Sequence, residues 1–269
     1  MRRIAHISDL HFGTEDPPVA AGLLTDLAEQ KPHVVAVSGD LTQRARDSQF
    51  ASAKAYLDQI PSAKIIVPGN HDQPLFNLAE RWLWPLYRYK KWITPELRPL
   101  LQDAELTVVG INTARRNTPK SGRVSMDQIR WLRETMVAAP RNHFRVLVAH
   151  HPVIPPDHNP EETVVGRAKL MLQTLEASGC SLILAGHLHK AYSGDVRPYH
   201  VEIKRSILVF QAGTAISHRR REEPNAYNLI TIDGDRLQLE VRAWDGAQFA
   251  TLNRREYEQK EDGWTVRPI

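Results

Sequence analysis

The sequence has little of what marks exported or membrane-spanning proteins. Its 269 residues include one cysteine, Cys180, so an internal disulfide cannot form. No stretch approaches the roughly 18 consecutive apolar residues of a membrane span. The apolar run after Met1-Arg2-Arg3 stops at Asp9, which is too early for a secretory signal. Repeats and low-complexity tracts are also absent. We therefore expect a soluble, cytoplasmic protein in which Cys180 is a small buried side chain.

The sequence also lacks a large excess of positive or negative charge. Lys and Arg number 35 against 31 Asp and Glu, a net charge of +4, while 42% hydrophobic and 25% charged residues are typical of a globular chain. This small positive net charge suits an anionic substrate. It does not favour a nucleic-acid partner, because the basic residues are dispersed apart from Arg219-Arg220-Arg221. The length predicts one domain over residues 1–269.

Short apolar runs of strand length are the strongest pattern present. They are rich in Val and Ile and apolar on both faces, which predicts buried sheet strands. Each ends abruptly in Gly, Asp, His or Asn. The five runs are Ile4–Ser8, Val34–Ser38, Ile65–Pro68, Val146–Ala149 and Leu182–Ala185.

Further elements follow from periodicity and turn residues. The early helices make the first half β-α-β-α-β, and a turn at Asp233-Gly234-Asp235 predicts a hairpin in a mostly antiparallel final third. We expect an α/β protein with two packed sheets and helices outside. Predicted helices are Val19–Gln30, Gln49–Ile60, Met126–Ala138 and Glu162–Ala177; further strands are Leu106–Ile111, Ser206–Gln211, Tyr227–Ile232 and Leu237–Ala243.

One segment, residues 74–99, has no strand run and concentrates aromatic residues. The favoured interpretation is a helical insertion that packs these side chains against the core, since aromatics are usually buried. The alternative is a lid or an association surface, through which the protein would form a homo-oligomer. The aromatics are Phe76, Trp82, Trp84, Tyr87, Tyr89 and Trp92.

All five apolar runs end in side chains that can bind metal, and strand ends at one sheet edge meet in space. A single strand end with one of these residues is usually an ordinary turn or a helix cap. Five in one chain favour a metal centre. Two carboxylates, one amide oxygen and four imidazoles suffice for two ions, with Asp40 as the bridge because a carboxylate offers two oxygens. The candidate ligands are Asp9, His11, Asp40, Asn70, His150, His187 and His189.

Five blocks, in order, resemble the motifs of the calcineurin-like metallophosphoesterase superfamily. They are Asp9-x-His11, Gly39-Asp40, Gly69-Asn70-His71-Asp72, His150-His151-Pro152 and Gly186-His187-x-His189, and they span about two thirds of the chain. The resemblance implies a four-layer α/β/β/α sandwich of two mixed sheets flanked by helices. It also implies that Asp9, His11, Asp40 and His189 hold one metal ion and that Asp40, Asn70, His150 and His187 hold the other.

The implied reaction is attack on a phosphodiester by a hydroxide that bridges two ions roughly 3.5–4 Å apart. The ions would be divalent or trivalent Mn, Fe or Zn. His71 lies outside the ligand set and is predicted to be catalytic, as a proton donor or a transition-state contact, with Asp72 orienting its ring. The side chain of His151 is expected to point away from His150 and either to support a metal ligand or to pack in the core. The remaining histidines, His6, His33, His143, His158, His200 and His218, are expected to be structural or exposed.

Substrate identity is less constrained. The motif order is most similar to class III cyclic nucleotide phosphodiesterases and related bacterial enzymes, which predicts a small phosphodiester substrate of the 3′,5′-cyclic nucleotide type. The alternatives are a lipid-sugar pyrophosphate hydrolase, an Mre11-like nuclease and a non-catalytic scaffold. Specificity is expected from the 74–99 insertion and from loops near Arg115, Asn159 and Arg219. The basic run from Arg219 is either a solvated loop or a source of one phosphate-binding Arg.

Overall fold

The computed structural model describes residues 1–118, 120–156, 159–200, 202–261 and 263–267. Two mixed β-sheets pack face to face. The first has the strand order β13-β12-β11-β10-β1-β2-β3. Its strands are β1 (Arg2–Ile7), β2 (Val34–Val37), β3 (Ala63–Ile66), β10 (Ala226–Asp233), β11 (Arg236–Trp244), β12 (Phe249–Lys260) and β13 (Gly263–Arg267).

The second sheet has the order β4-β5-β6-β7-β9-β8. Its strands are β4 (Leu100–Gln102), β5 (Leu106–Gly110), β6 (Phe144–Val148), β7 (Leu182–Ala185), β8 (Tyr192–Asp195) and β9 (Leu208–Gln211). The helices are α1 (Pro17–Gln30), α2 (Asp47–Leu57), α3 (Leu78–Leu83), α4 (Tyr87–Trp92), α5 (Met126–Ala138) and α6 (Ala168–Ala177).

Alternating side chains divide the core into three layers. In β2, Val34 points into the core between the sheets, whereas its neighbour Val35 packs in the cluster under α1 and α2. The same alternation in the second sheet feeds a third cluster beneath α5 and α6. This period of two on strands buried on both faces explains the continuous apolar runs. The four-layer α/β/β/α prediction is confirmed.

The parallel pairing of the strands determines where the candidate ligands meet. β1, β2 and β3 run parallel, and so do β5, β6, β7 and β9. The carboxyl ends of parallel strands meet at one edge of a sheet, so the loops that leave β1, β2, β3, β6 and β7 come together.

Most predicted elements are present within a few residues. The hairpin turn joins β10 and β11, with Asp233 paired to Arg236, and Cys180 is fully buried. The start predicted for α6 at Glu162 is wrong. The helix begins at Ala168, because Gly166 instead forms a bridge with Arg123 and the Val165 N–H donates to the carbonyl of Pro152.

The aromatic insertion is helical, as α3 and α4, but its packing was predicted wrongly. Only Tyr89 is fully buried, under α2 beside Phe50, while Trp92 is half-buried. Four of the six aromatics are exposed, because the two short helices lie on the rim and present one side to solvent. These are Phe76, Trp82, Trp84 and Tyr87.

Within the described part of the chain, every helix is too short or too polar to cross a lipid bilayer.

Candidate metal centre

All seven candidate ligands follow the carboxyl ends of strands from the two sheets, six on loops and Asn70 at the start of a 3-10 helix, Asn70–Asp72. Six are buried, and His187 is half-buried. The two sheets are joined directly at this edge, since the carbonyl of Ser38 after β2 accepts a hydrogen bond of 2.7 Å from Nδ1 of His150 after β6. The structure therefore brings together residues that are up to 180 positions apart in sequence.

The backbone is strained where these side chains turn inward. Nine non-glycine residues of the described chain have positive φ, and five are candidate ligands: Asp9, His11, Asp40, His187 and His189, with φ between 48° and 82°. Such backbone angles cost energy in L-residues and collect at functional sites. Close packing explains the glycines before the ligands: a Cβ at Gly69 would lie 2.0 Å from Oδ1 of Asp40.

One group of donors converges around Asn70. Its Oδ1 lies 3.1 Å from Nε2 of His150 and 3.0 Å from Nδ1 of His187, and these two nitrogens are 3.3 Å apart. Oδ1 of Asp40 is 3.4 Å from the same nitrogen of His150. Ligands about 2.1 Å from one ion at tetrahedral or octahedral angles are separated by roughly 3.0–3.4 Å. The spacing of this group therefore fits a single metal ion.

Proton positions in this group also call for a cation. Nδ1 of His150 donates to the Ser38 carbonyl, so in the neutral ring Nε2 carries only a lone pair. That lone pair faces an amide oxygen and a carboxylate, which are both acceptors. Burial lowers the pKa of His150, but the Asp40 carboxylate outweighs it and raises the pKa to about 9. Positive charge, from a proton or a metal ion, is thus favoured at this position.

The second group is formed by Asp9, His11 and His189. Oδ1 of Asp9 lies 3.5 Å from Nε2 of His11, and the ring of His189 stacks on that of His11 with centroids 5.1 Å apart. The other oxygen of Asp9 accepts hydrogen bonds from the Ser8 hydroxyl at 2.6 Å and the His187 N–H at 2.9 Å. This holds the carboxylate so that Oδ1 faces the group.

Unpartnered polar atoms mark the same place. Oδ1 of Asp9 and both ring nitrogens of His11 are fully buried without a hydrogen-bond partner. Leaving such atoms buried and unsatisfied is costly. A metal ion at this position would give Asp9 and His11 a partner, so the residues present fit the ion that the fold implies.

Asp40 lies between the two groups. Its Oδ1 faces His150, and its Oδ2 is 3.7 Å from Nε2 of His11. The His71 N–H donates to Oδ1 at 2.8 Å and fixes the carboxylate. Burial raises the pKa of Asp40, but the neighbouring histidines, His150 first, lower it well below the usual range. Asp40 is therefore an ionised group with one oxygen toward each set of donors.

His71 lies beside this centre, with its ring centroid 4.9 Å from that of His11. Its Nδ1 is 3.0 Å from the carbonyl of Gln43, which requires a proton on Nδ1, and its Nε2 is 2.9 Å from Nη1 of Arg219. Burial lowers the pKa of His71; Asp40 opposes this, and His11 and, less strongly, Arg219 add to the lowering. The neutral ring thus accepts a hydrogen bond from Arg219.

Asp72 does not orient His71, contrary to the prediction. Its two oxygens accept hydrogen bonds from the N–H groups of Leu41, Thr42 and Gly69 at 2.9–3.1 Å and from the Thr42 hydroxyl at 3.0 Å. The reason is geometric: both oxygens are already occupied in tying the loop after β2 to the loop after β3. Burial and the nearby Asp40 raise the pKa of Asp72 to about 6.

His151 is closer to the centre than predicted. Its ring centroid is 4.9 Å from that of His150 and 4.8 Å from that of His187. Nδ1 lies 2.7 Å from the Thr113 hydroxyl, and Nε2 is buried without a partner. The ring does not point away from His150, because the short turn before Pro152 folds it back beside the ligands.

Several supporting residues had no predicted role. Ser8 bonds Asp9, the Ser38 carbonyl bonds His150, and the Thr214 hydroxyl lies 2.8 Å from Nδ1 of His189. The first two carry a sequence signal, since each serine ends an apolar run just before a ligand motif. Thr214 and Gln43 carry none, because their contacts depend on loops distant in sequence.

The other histidines lie away from the donor groups or serve the fold. His6 is buried with Nε2 2.8 Å from the Ser38 hydroxyl, and burial lowers its pKa to about 3. His33, His143 and His200 lie on loops, and His218 is exposed. His158 falls outside the described residues. Of the basic run, Arg219 contacts His71, whereas Arg220 and Arg221 are exposed.

Known proteins are similar to this chain in sequence. The family model of the calcineurin-like phosphoesterases matches residues 2–191. A probable cyclic nucleotide phosphodiesterase of Pseudoalteromonas sp. is 23% identical over 256 residues, covering 89% of this chain and 91% of that protein. A glycerophosphodiester phosphodiesterase of Enterobacter lignolyticus is 25% identical over 163 residues, covering 56% of this chain and 57% of that protein.

A solved structure agrees in fold. The purple acid phosphatase of yellow lupin superposes with a TM-score of 0.70 at 11% identity, and the match covers 93% of this chain. The chain spans about half of that phosphatase, since the match covers 52% of it.

Proposed function

This chain belongs to the calcineurin-like phosphoesterase family, a family of metal-dependent phosphoester hydrolases, and we propose that it cleaves a small phosphodiester at the centre around Asp40. The observation that carries the proposal is the position of Asp40, which has one carboxylate oxygen toward each of two groups of metal-binding side chains. Two ions that share a carboxylate are the arrangement for in-line attack on a phosphoryl group.

Asp9, His11, Asp40 and His189 would hold one ion, and Asp40, Asn70, His150 and His187 the other. When bound, the ions would supply a nucleophilic water at neutral pH and neutralise charge on the phosphoryl oxygens. Nitrogen and oxygen donors of these types accept Mn, Fe or Zn.

Arg219 is proposed to contact the substrate phosphoryl group. Its guanidinium is the cation next to His71, and a planar guanidinium suits phosphate oxygens. A neutral His71 that accepts from Arg219 would act by orienting it, which favours the role of a transition-state contact over that of proton donor. Gln43 supports both side chains, through its carbonyl to His71 and its Oε1, 3.3 Å from Nη1 of Arg219.

The proposed substrate subclass is a 3′,5′-cyclic nucleotide, which the name of the Pseudoalteromonas relative supports. A pocket of about 380 Å³ has Leu188 in its lining, the residue that stands in sequence between the candidate ligands His187 and His189. Pockets of this size hold small organic ligands. It is proposed to hold the part of the substrate beyond the scissile phosphate, with Asn159, Lys190 and Tyr192 among its lining residues.

The test is hydrolysis of bis(p-nitrophenyl) phosphate by metal-reconstituted protein. Asp40→Ala should lower kcat/KM by at least about 10³-fold, since several kcal/mol of charge stabilisation are lost with the ions. Metal content by elemental analysis should fall in parallel. The control is Asp58→Ala, which removes an exposed carboxylate paired with Lys54. If wild type and Asp40→Ala behaved alike, the proposal would be rejected.

A substrate panel tests the subclass separately. Cyclic nucleotides, glycerophosphodiesters and nucleotide-sugars are compared by kcat/KM with the same protein, and the cyclic nucleotides should rank first. A higher kcat/KM for another class would reject the cyclic-nucleotide subclass but not the proposal that the protein hydrolyses a phosphodiester.

A further inference from the structure

Large apolar side chains are exposed together on the 74–99 insertion. The exposed fraction is 81% for Phe76, 64% for Leu83 and 61% for Trp84. The other exposed large hydrophobic residues of the described chain are single positions along the sequence. Six exposed apolar side chains within twelve consecutive residues mark a candidate interaction site. We call it the aromatic patch; its members are Phe76, Leu78, Trp82, Leu83, Trp84 and Tyr87.

The patch is held in place by a fixed framework. Arg81 is buried and donates to the carbonyls of Pro74 and Arg116, at 3.0 and 3.2 Å. Trp92 donates its indole N–H to Asp47 at 2.7 Å. The exposure is therefore a property of how the insertion is built, since polar and apolar anchors beneath it fix which side faces out.

Two shallow grooves run through the patch. The larger, of about 490 Å³, is lined by Trp84 and Tyr87. The other, of about 440 Å³, lies between Leu83, Trp84 and Leu97 and has Lys90 in its lining. The groove that contains Lys90 combines apolar walls with a basic edge, and binding to an anionic lipid surface grows with both apolar area and positive charge.

Positive charge surrounds the patch. The guanidinium of Arg44 lies 5.2 Å from the ring centroid of Phe76, and that of Arg116 lies 5.0 Å from the ring of Trp82. Lys90 is exposed. The carboxylate of Glu80, in the larger groove, is paired with Arg88 at 2.8 Å. Arg88, Lys91 and Arg98 of the insertion are ion-paired, so the charge offered to a partner comes from Arg44, Lys90 and Arg116, to which an anionic surface is complementary.

We propose that the aromatic patch docks the protein onto the surface of an anionic lipid bilayer. Trp and Tyr favour the interface between lipid and water, and exposed Lys and Arg are attracted to anionic headgroups. A second copy of this chain fits less well, because a two-fold contact would bring Arg44, Lys90 and Arg116 of both copies together.

The experiment measures partition of the metal-loaded protein onto vesicles by co-sedimentation. Vesicles of phosphatidylcholine alone are compared with mixed phosphatidylcholine–phosphatidylglycerol vesicles. Wild type should bind the anionic vesicles and not the neutral ones, and added salt should weaken binding. The double variant Leu83→Ser/Trp84→Ser should partition at least about tenfold less, because two apolar side chains no longer insert.

Matched controls separate the patch from general surface effects. Val137→Ser/Leu252→Ser removes two side chains that are equally exposed, at 64% each, and should bind as wild type does. Arg44→Gln/Lys90→Gln should lose about fivefold per charge, while Arg133→Gln/Lys204→Gln, on other exposed positions, should lose far less. All variants should keep the wild-type circular dichroism spectrum and thermal unfolding transition, which report correct folding.

Three results would overturn the proposal. They are failure of wild type to bind anionic vesicles, equal binding by wild type and Leu83→Ser/Trp84→Ser, or a dimer by light scattering that this variant dissociates. The last would assign the patch to a second copy of the chain. None of these results depends on which phosphodiester is cleaved.

Discussion

His71 and Arg219 meet at the edge of the candidate metal centre, and each limits what the other can do. The Gln43 carbonyl requires the His71 proton on Nδ1, so Nε2 accepts from the guanidinium at 2.9 Å. A lowered pKa keeps this ring neutral at pH 7. The pair is therefore arranged to aim a fixed positive charge rather than to release a proton.

A double-mutant cycle tests this pair. Arg219→Gln should lower kcat about 10²–10³-fold, as loss of a charge-stabilising donor does. His71→Asn should lower it about 10–100-fold, as loss of a supporting contact does. The double variant should resemble Arg219→Gln alone, because the two act as one unit.

The dependence of the rate on the leaving group distinguishes an orienting His71 from one that donates a proton. Rates are compared for a p-nitrophenyl diester, whose leaving group needs no proton, and for an alkyl diester, whose leaving group does. An orienting His71 predicts similar losses on both substrates. A loss confined to the alkyl diester would identify His71 as the proton donor and contradict the orienting role.

At the scale of elements, Asp47 ties the insertion to the rest of the molecule. It lies at the start of α2 and accepts hydrogen bonds from Trp92, Arg88 and Lys91 at 2.7–2.9 Å. The Trp92 indole first, then Lys91, lowers the pKa of Asp47 to about 2. This side chain is half-exposed, so each contact contributes modestly.

Asp47→Asn should lower the free energy of unfolding by about 1 kcal/mol or less at pH 7, since the ionised partner of three donors is lost. An unfolded Asp titrates near about 3.9. The lowered folded pKa therefore contributes stability above about pH 4, which is lost as pH falls towards 2. Urea unfolding of chelator-treated wild type and variant should show a difference that closes over this range. A constant difference would mean that charge is not the cause.

Elements with strong apolar patterns were predicted well, and weakly patterned ones were missed. The five ligand-bearing runs all lie in or next to strands of the structure. β12 and β13 were not predicted, since β12 is largely exposed and lacks an apolar run. It pairs with β11 across a bulge at Val241 and Arg242, and such pairing depends on the partner strand rather than on local sequence.

At the scale of the whole molecule, the centre joins the two sheets, so metal should stabilise the entire fold. Metal at about 100 times its Kd adds about 2.7 kcal/mol, which predicts a Tm roughly 5–10 °C above that of chelator-treated protein. Asp40→Ala should abolish the increase. An equal increase in this variant would place the stabilising ion elsewhere.

Metal affinity should also depend on pH. The His150 ring is protonated in the metal-free protein below its pKa of about 9, and a metal ion must displace that proton. Affinity should therefore fall up to about tenfold for each pH unit below 9, with proton release measurable by calorimetry in two buffers. His150→Ala should flatten this dependence, and an unchanged slope would contradict the assignment.

The sequence by itself determined the donor types, the strands they follow and the family resemblance, because short apolar runs and the residues that end them are local properties. Only the tertiary structure decided how these donors meet. The Thr214 hydroxyl contacts His189, Gln43 rather than Asp72 supports His71, and four aromatics of the insertion lie exposed. Each of these depends on the packing of two sheets and distant loops, which no local pattern encodes.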